Sequence, residues 1–323
     1  MSNLQASKAV ALGYLMKVSA GNINASHTEG NVMVAKKVTL PDGSSVPYFS
    51  GQAQRRMLRD RMEELGFTLS ETSALVSGQE VTPPVRPWEF IDEDLFGYLD
   101  PSGGRRRTSP VRVSAAVGLF PFQGDRDLGT RSFERFGQTM EAGGNMFETE
   151  LYANLFKGNM LVELDRIGIF SDLEVGKQKE VPEGAEKMEK NGRQFYILSA
   201  AERQRRLQAL LEALGLLWGG GRTARMLSDL SPRFLAYARL KVKHPVFLEA
   251  LQARFVEGSF YLNPEPLLGA LEKFKNYQET IIFGLESGFF GNEAEIRQQL
   301  QDYGPVYTVH GAIAKAKEDL GKL

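Results

Sequence analysis

Two amphipathic helices, each flanked by strand-like segments, constrain this chain most. Residues 48–66 read as a capped helix that places Leu58, Met62 and Leu65 on one face. Residues 199–218 read as a second helix, with leucines at helical spacing at Leu207, Leu210, Leu211, Leu214 and Leu217. Because a helix with one apolar face must bury it against another element, both helices are expected to pack on a sheet.

The segments around these helices are rich in apolar and β-branched residues. They predict buried strands at residues 8–19, 111–120 and 233–245, and a hairpin of 146–156 and 159–170 closed at Lys157-Gly158-Asn159. The order strand, helix, hairpin, helix, strand is close to the ferredoxin-like arrangement of a four-stranded antiparallel sheet with two helices on one face. The predicted fold class is α+β, with a ferredoxin-like (RRM-like) palm. The aromatic RNP1 signature of the RNA recognition module is missing, so a base-stacking sheet face is not expected.

The rest of the chain reads as insertions into one elaborated domain spanning residues 1–323. The charged stretch 171–198 predicts a mobile surface insertion, and the proline-containing stretch 67–110 predicts an irregular one. Acidic residues at 89–100 either offset a basic groove or form solvated surface. The palm is expected from about residues 5–65, 111–120, 147–170 and 199–245, with insertions at about 66–110, 121–146 and 171–198.

Composition excludes several classes of function. A chain of 323 residues with 42% hydrophobic content can bury a core, and its formal net charge of −1 gives no global attraction to nucleic acid or membrane. Without cysteine there is no disulfide or thiolate zinc site, which suits a reducing cytoplasm. We expect a cytoplasmic protein with no membrane segment, no metal and no cofactor, because the common nucleotide-binding, hydrolase and metal-binding motifs are missing.

The first helix carries an unusual row of polar and basic side chains. Gln52, Arg55, Arg56 and Arg59 share one face at i, i+3, i+4 and i+7. Ser50 is a favourable N-cap residue and Gly51 follows it, so the helix start presents free backbone N–H groups and a positive dipole end. This combination is typical of an anion site. The pattern is also typical of a solvated face on which Arg59 pairs with Glu63.

Two further segments offer amides and cations to the same anion. "GNINAS" (21–26) supplies Asn22, Asn24 and Ser26 at a strand-to-loop junction. "GGGRTAR" (219–225) combines flexible backbone with two arginines, although a glycine run after a helix is commonly a C-cap and turn. Three such clusters suit a chain of phosphates, since polyanion binding uses many spaced contacts.

Four segments together carry a family resemblance: "NASHTEGN", "SGQAQRRMLRDR", "SPVRVSAAVGLFPFQGDRDLGTRS" and "GGGRTAR", in this order. The chain resembles the backbone subunit of the type I CRISPR surveillance complex called Cascade, specifically the DevR-type family of type I-B systems. The resemblance implies a palm with finger segments and a thumb-like hairpin. It also implies further copies of the chain along one CRISPR RNA, other Cascade subunits as partners, and presentation of the spacer to a target DNA strand.

Residue roles follow from the resemblance by motif match. The expected RNA-binding residues are Asn22, Asn24, Ser26, Ser50, Gly51, Gln52, Arg55, Arg56, Arg59, Arg112, Gly220, Gly221, Arg222 and Arg225. Residues 120–146 correspond to the thumb region, with Phe120, Phe122, Gln123 and Leu128 as candidates. For these side chains, wedging between bases and packing in the core or against another subunit stay open as alternatives.

Two other functions stay open from the sequence. Related backbone subunits of type III systems cut RNA with an acidic residue in a comparable loop, which makes Asp125 and Asp127 candidates for a metal-dependent ribonuclease, unless Arg126 and Arg131 merely pair with them. A protein-interaction module whose basic helix pairs with acidic neighbours is the third interpretation. RNA binding alone predicts an affinity that falls steeply with salt concentration.

Overall fold

The structure is a computed structural model, and it describes residues 7–70, 83–101, 103–131, 145–219 and 226–322. The predicted sheet and both predicted helices are present. Within these ranges no helix is both long enough and apolar enough to cross a bilayer.

The first part of the chain holds the first long strand, helix α1 and several short strands. The elements are β1 (Ala9–Gly21), β2 (Ala25–Glu29), β3 (Val32–Ala35), β4 (Lys37–Thr39), β5 (Ser45–Phe49), α1 (Gly51–Glu64), α2 (Ile91–Phe96), β6 (Tyr98–Asp100), β7 (Arg105–Arg107), β8 (Val111–Val113), β9 (Ala116–Gly118) and β10 (Asp125–Arg131).

The remainder begins with the longest strand and ends on a helix. The elements are β11 (Asn145–Glu163), β12 (Ile169–Ser171), α3 (Asp172–Val175), β13 (Ala185–Lys190), β14 (Arg193–Leu198), α4 (Ala200–Gly215), β15 (Trp218–Gly219), β16 (Ser228–Asp229), β17 (Pro232–Leu240), β18 (Gln252–Val256), β19 (Ser259–Asn263), α5 (Glu265–Lys273), β20 (Gln278–Leu285), α6 (Glu293–Leu300), β21 (Val306–Tyr307) and α7 (Val309–Leu320).

The centre of the main sheet has the predicted ferredoxin-like topology. β1 lies between β17 and β11 and is antiparallel to both, and β11 pairs on its other side with β8 and β9. Helix α1 connects β1 to β8, and α4 connects β11 to β17. This is the split βαβ arrangement predicted from the element order. The predicted strand at 111–120 is divided at Ser114 and Ala115 into β8 and β9.

The predicted hairpin closed at Lys157-Gly158-Asn159 is wrong. Residues Asn145–Glu163 form one continuous strand, β11, which pairs with β1 straight through this tripeptide. Gly158 lies opposite Tyr14, and a Cβ added to it would stand 2.2 Å from Tyr14 Cε2. The glycine therefore makes room for a buried ring instead of closing a turn, which is the other common meaning of glycine within a strand.

Both faces of the sheet are covered. Leu12 and Met16 of β1 point into a core with residues of α1, α4 and α7, whereas Ala11 and Leu15 point into a second core with residues of α5 and α6. The two predicted helices do share one face, as expected. The additional helices explain why β1 is buried on both sides and reads as a nearly continuous apolar run.

The acidic stretch 89–100 is a buried structural element, and its interpretation as solvated surface is wrong. Asp92, Glu93 and Asp94 of α2 are all buried. Asp94 accepts from Arg107 at 2.7 Å and from Arg206 at 2.9 Å. Since buried charges persist only when paired and hydrogen-bonded, these two arginines explain how Asp94 is tolerated inside the protein. Asp92 is paired with Arg59 instead, and Glu93 accepts from the backbone N–H groups of Val85 and Arg86.

Residues 171–198, predicted to be a mobile surface insertion with little structure, contain regular secondary structure. β12, β14 and β13 form a small sheet, and α3 packs beside it. Phe170, Val175, Tyr196 and Leu198 form its core. The outer strand β13 carries most of the charges and is exposed, whereas β14 buries Tyr196 and Leu198, which is why the segment looks too polar to fold.

Candidate nucleic-acid interface

Helix α1 begins where the sequence predicts. The Ser50 hydroxyl accepts a hydrogen bond from the backbone N–H of Ala53 at 3.2 Å, so Ser50 is the N-cap. A Cβ on Gly51 would stand 2.2 Å from the backbone oxygen of Val113. Only glycine allows the helix start to approach the end of β8 this closely, and this contact fixes where the helix dipole points.

The loop after β1 is tied directly to that helix start. Asn24 Oδ1 accepts from the backbone N–H of Ser50 at 3.2 Å, and the backbone N–H of Ile23 donates to the Tyr152 hydroxyl at 3.0 Å. The structure therefore brings together two of the three predicted segments. Asn22, only 2% exposed, donates to the backbone oxygen of Glu150 at 3.1 Å, so it supports the loop from inside. Ser26 lies on β2, exposed, with its hydroxyl 3.1 Å from His27 Nδ1.

The arginine face divides into an exposed part and an anchored part. Gln52 and Arg56 are exposed, and Arg56 pairs with Asp60 at 3.0 Å while its side chain keeps 73% of its surface accessible. Arg55 is half-buried and has no ion-pair partner among the residues the structure describes. These side chains stand beside the capped helix start and are accessible to an anion.

Arg59 differs from its neighbours. Its guanidinium lies 3.5 Å from the Asp92 carboxylate and 4.7 Å from the centroid of the Phe96 ring, so it joins α1 to α2. The alternative pairing with Glu63 is not formed, because the buried acid on α2 takes its place. Burial lowers the pKa of the Arg59 guanidinium, and Asp92 opposes that shift. Arg59 is consequently placed as a structural anchor at one edge of the basic face.

The opposite face of α1 holds a polar contact that the sequence analysis did not identify. Leu58 and Met62 are buried as predicted, and Leu65 packs half-buried against the same core. Gln54, fully buried, accepts from the Tyr14 hydroxyl at 2.8 Å and donates to the backbone oxygen of Ser114 at 2.7 Å. The available signal was its position four residues before Leu58, on the buried face.

Arg112 does not join the α1 cluster. Its neighbours on β8, Val111 and Val113, face α1, so Arg112 points to the other face of the sheet. There it pairs with Glu163 at 2.5 Å. Gly220, Gly221, Arg222 and Arg225 lie outside the described residues. Gly219, immediately before them, lies against Met57 of α1, since a Cβ on Gly219 would be 3.2 Å from Met57 Cγ.

A family model described as the CRISPR-associated negative auto-regulator DevR/Csa2 matches residues 88–257, more than half of the chain. The chain belongs to the DevR/Csa2 family. Solved structures support the fold. One chain titled "CRISPR RNA-guided surveillance complex, pre-nicking" aligns with a TM-score of 0.60 at 12% identity, covering 95% of this chain and 100% of that chain.

A second solved chain, titled "CRISPR RNA-guided surveillance complex", aligns with a TM-score of 0.56 at 15% identity. The alignment covers 95% of this chain and 99% of that chain. At identities this low, the two alignments establish a shared fold and nothing further. A search of curated proteins gives no match.

The thumb candidates of this DevR/Csa2 protein occupy three environments. The Phe120 ring packs against Phe260, with centroids 5.9 Å apart. Phe122 lies beside Tyr152 and under Lys37, whose Nζ is 4.3 Å from the ring centroid. Gln123 is exposed. Leu128 is 59% exposed and lies where β10 pairs with the first residues of β11, a pair of strands called the β10–β11 arm below. Of the candidate apolar side chains, only Leu128 is available for a wedge.

The arm carries a second exposed apolar side chain next to Leu128. Leu128 is opposite Glu148 in the β10–β11 register, and Met146 lies two residues before Glu148, on the same face. Met146 is 60% exposed. The sequence does not single out Met146, because residues 146–156 are expected to form the first strand of a hairpin.

The acidic residues of the alternative ribonuclease interpretation also lie on this arm of the DevR/Csa2 protein. The Asp125 carboxylate accepts from the backbone N–H of Arg126 at 2.8 Å. The Arg126 guanidinium contacts Glu148 at 3.2 Å. Within the described ranges, no three acidic or histidine side chains form a group that could hold a metal ion.

Proposed function

We propose that this DevR/Csa2 protein is a non-catalytic subunit that binds guide RNA in a CRISPR RNA-guided surveillance complex. The observation that carries the proposal is the hydrogen bond between Asn24 and Ser50, which holds a loop of small amides against the N-terminus of α1. Family membership and a fold shared with chains of such complexes support it.

The physical chemistry of this corner favours a phosphate backbone. The helix start supplies backbone N–H groups and a positive dipole end. Gln52, Arg55 and Arg56 add donors on the adjacent turn, and arginine offers two N–H groups in a fork that matches phosphate oxygens. Contacts of this kind position RNA without reading its sequence. A guide-binding subunit needs this property, because base pairing then reads the target.

The finer part of the proposal concerns assembly. The chain polymerises along one CRISPR RNA as the backbone of a type I-B Cascade complex and presents the spacer for pairing with a target DNA strand. Further copies of the chain and other Cascade subunits are the expected protein partners. The exposed Leu128 and Met146 on the β10–β11 arm suit a thumb that reaches beyond its own palm.

The test is the salt dependence of RNA affinity. The logarithm of the affinity falls with the logarithm of the salt concentration, and each lost phosphate contact makes this negative slope shallower by about 0.7 for single strands. Arg55→Ala combined with Arg56→Ala is expected to weaken binding of unrelated RNA sequences equally and to reduce the slope by about 1.4. Arg193→Ala, an exposed arginine on β14, is the control. A salt-independent affinity in the wild-type protein would contradict RNA binding and favour the protein-interaction alternative.

The non-catalytic part is tested separately. RNA incubated with the wild-type protein and Mg²⁺ or Mn²⁺ is expected to remain intact, and to behave identically with Asp125→Ala. Cleavage by the wild type that Asp125→Ala or Asp127→Ala abolishes would establish the metal-dependent ribonuclease instead.

A further inference from the structure

A cleft of about 560 Å³ opens on the sheet face opposite α1, at the end of β1. The last residues of β1, the segment that follows β9, and the β18–β19 hairpin line it. The aromatic lining residues are Phe120, Phe255 and Phe260. This volume lies within the range of small-molecule sites.

The aromatic side of the cleft is a row of rings. Phe255 is 54% exposed and lies 4.8 Å from Phe260, centroid to centroid. Phe260 in turn stacks on Phe289 at 5.4 Å with an interplanar angle of 13°. Phe255 and Phe260 are directly opposite each other across the hairpin. The inner rings are supported by the core, and Phe255 presents its outer surface to solvent.

The opposite wall is rigid. Asn154 is 5% exposed, and both the oxygen and the nitrogen of its side-chain amide form hydrogen bonds with one residue. Its Oδ1 accepts from the backbone N–H of Phe120 at 3.2 Å, and its Nδ2 donates to the backbone oxygen of Phe120 at 2.9 Å. The Phe120 backbone is thereby held at the rim. A preformed wall lowers the entropy lost when a flat ligand enters.

Charge and polarity indicate what that ligand is. The lining contains one cation, Lys17, and no carboxylate. The Ser19 hydroxyl and the Gln123 amide are exposed at the rim. An aromatic surface with a cation and neutral donors and acceptors suits a nucleobase that stacks on a ring while its phosphate lies near an ammonium group.

We propose that this aromatic cleft takes one unpaired nucleobase of the bound RNA, stacked on Phe255 with its backbone phosphate near Lys17. The proposal rests on the proposed function. The cleft is continuous with the RNA-binding corner along the chain, because Lys17 and Ser19 belong to the strand that runs into Asn22 and Asn24. The proposal requires the RNA to pass from the start of α1 around the end of β1 to the opposite face of the sheet.

The test uses the full-length protein and single-stranded oligoribonucleotides that carry the fluorescent base 2-aminopurine at each position in turn. Stacking on a ring quenches this base, and Phe255→Ala is expected to remove the quenching and to weaken RNA affinity about tenfold. Phe255→Trp keeps a stacking surface and is expected to retain both. Tyr277→Ala removes another exposed aromatic side chain that does not line the cleft, and it is expected to change neither.

Three results would overturn the proposal in distinguishable ways. Unchanged affinity and quenching in Phe255→Ala would show that no base stacks in the cleft, and would leave the proposed function intact. A change only in the size of the protein–RNA particle would assign the cleft to a protein partner. If the wild-type protein binds none of these RNAs, the proposed function fails together with the cleft assignment.

Discussion

The Asn24 side chain accepts a hydrogen bond from the backbone N–H of Ser50, the residue that caps α1, at 3.2 Å. Two segments that are far apart in the sequence thus become one surface. The bond holds the loop after β1 beside the start of the helix that carries Gln52, Arg55 and Arg56.

Removing this link is expected to affect binding more than stability. Asn24→Ala loses one half-buried neutral hydrogen bond, worth about 1 kcal/mol in unfolding free energy. RNA affinity is expected to fall severalfold further, since the loop is no longer held beside α1. Thr28→Ala, on exposed β2, is the control. Equal losses of affinity in both variants, measured by fluorescence anisotropy, would show that the link does not organise the site.

Replacing Arg59 is expected to destabilise the protein more than replacing Arg56. Arg59→Ala removes the contacts to Asp92 and Phe96 and leaves a buried acid with fewer partners, which is expected to lower the unfolding free energy by about 1–2 kcal/mol. Arg56→Ala removes an exposed helical pair, with an expected cost below about 0.5 kcal/mol. Urea denaturation measures both. If Arg56→Ala were the less stable variant, the division of the arginine face would be wrong.

Gly158→Ala tests the continuous strand. Its new methyl group would meet the Tyr14 ring, which is buried and bonded to Gln54, so the expected loss is about 2–3 kcal/mol. Gly269→Ala is the matched control, because Gly269 lies within α5 with nothing near its Cβ position. There the same change is expected to stabilise the protein by about 0.5–1 kcal/mol. A tolerated Gly158→Ala would contradict the β1–β11 register.

These sites show how far the sequence alone predicts this protein. Helix α1, its cap and its buried leucine and methionine follow from local rules, because capping and helical spacing involve neighbours in the chain. Gly158 and the acids of α2 are different. Their roles depend on partners more than one hundred residues away, such as Tyr14 opposite Gly158 and Arg206 beside Asp94.

The candidate site divides along the same line. Asn24 is bonded to Ser50 at the start of α1, the helix that carries Gln52, Arg55 and Arg56. Arg112 is different, because successive side chains of a strand point to opposite faces of the sheet. Val111 and Val113 face α1, so Arg112 points to the other face. The structural role of Arg59 could not be predicted, because its partner Asp92 lies in an acidic stretch that the sequence suggests is solvated surface.

Glu93 predicts a pH dependence of stability. Burial raises the pKa of the Glu93 carboxyl to about 7, against an ordinary value of 4.5, although backbone N–H groups of Val85 and Arg86 oppose the shift. The folded state therefore holds a proton that the unfolded chain has lost. Stability from this group is complete below about pH 4.5 and is lost as the pH rises to about 7.

Thermal denaturation across this window checks the assignment. The wild-type midpoint is expected to decline relative to Glu93→Gln between about pH 4.5 and pH 7, and to run parallel to it above that range. A constant difference at every pH would show that Glu93 keeps an ordinary pKa.

The most direct measurement of the central claim is recovery of RNA with the purified protein after coexpression with a CRISPR array. Guide-RNA binding predicts an ultraviolet absorbance dominated by nucleic acid, a large nuclease-resistant particle, and sequence reads that match the array. It also predicts that Arg55→Ala combined with Arg56→Ala yields protein with little RNA. A well-folded wild-type protein that purifies free of nucleic acid and ignores the array would contradict guide-RNA binding.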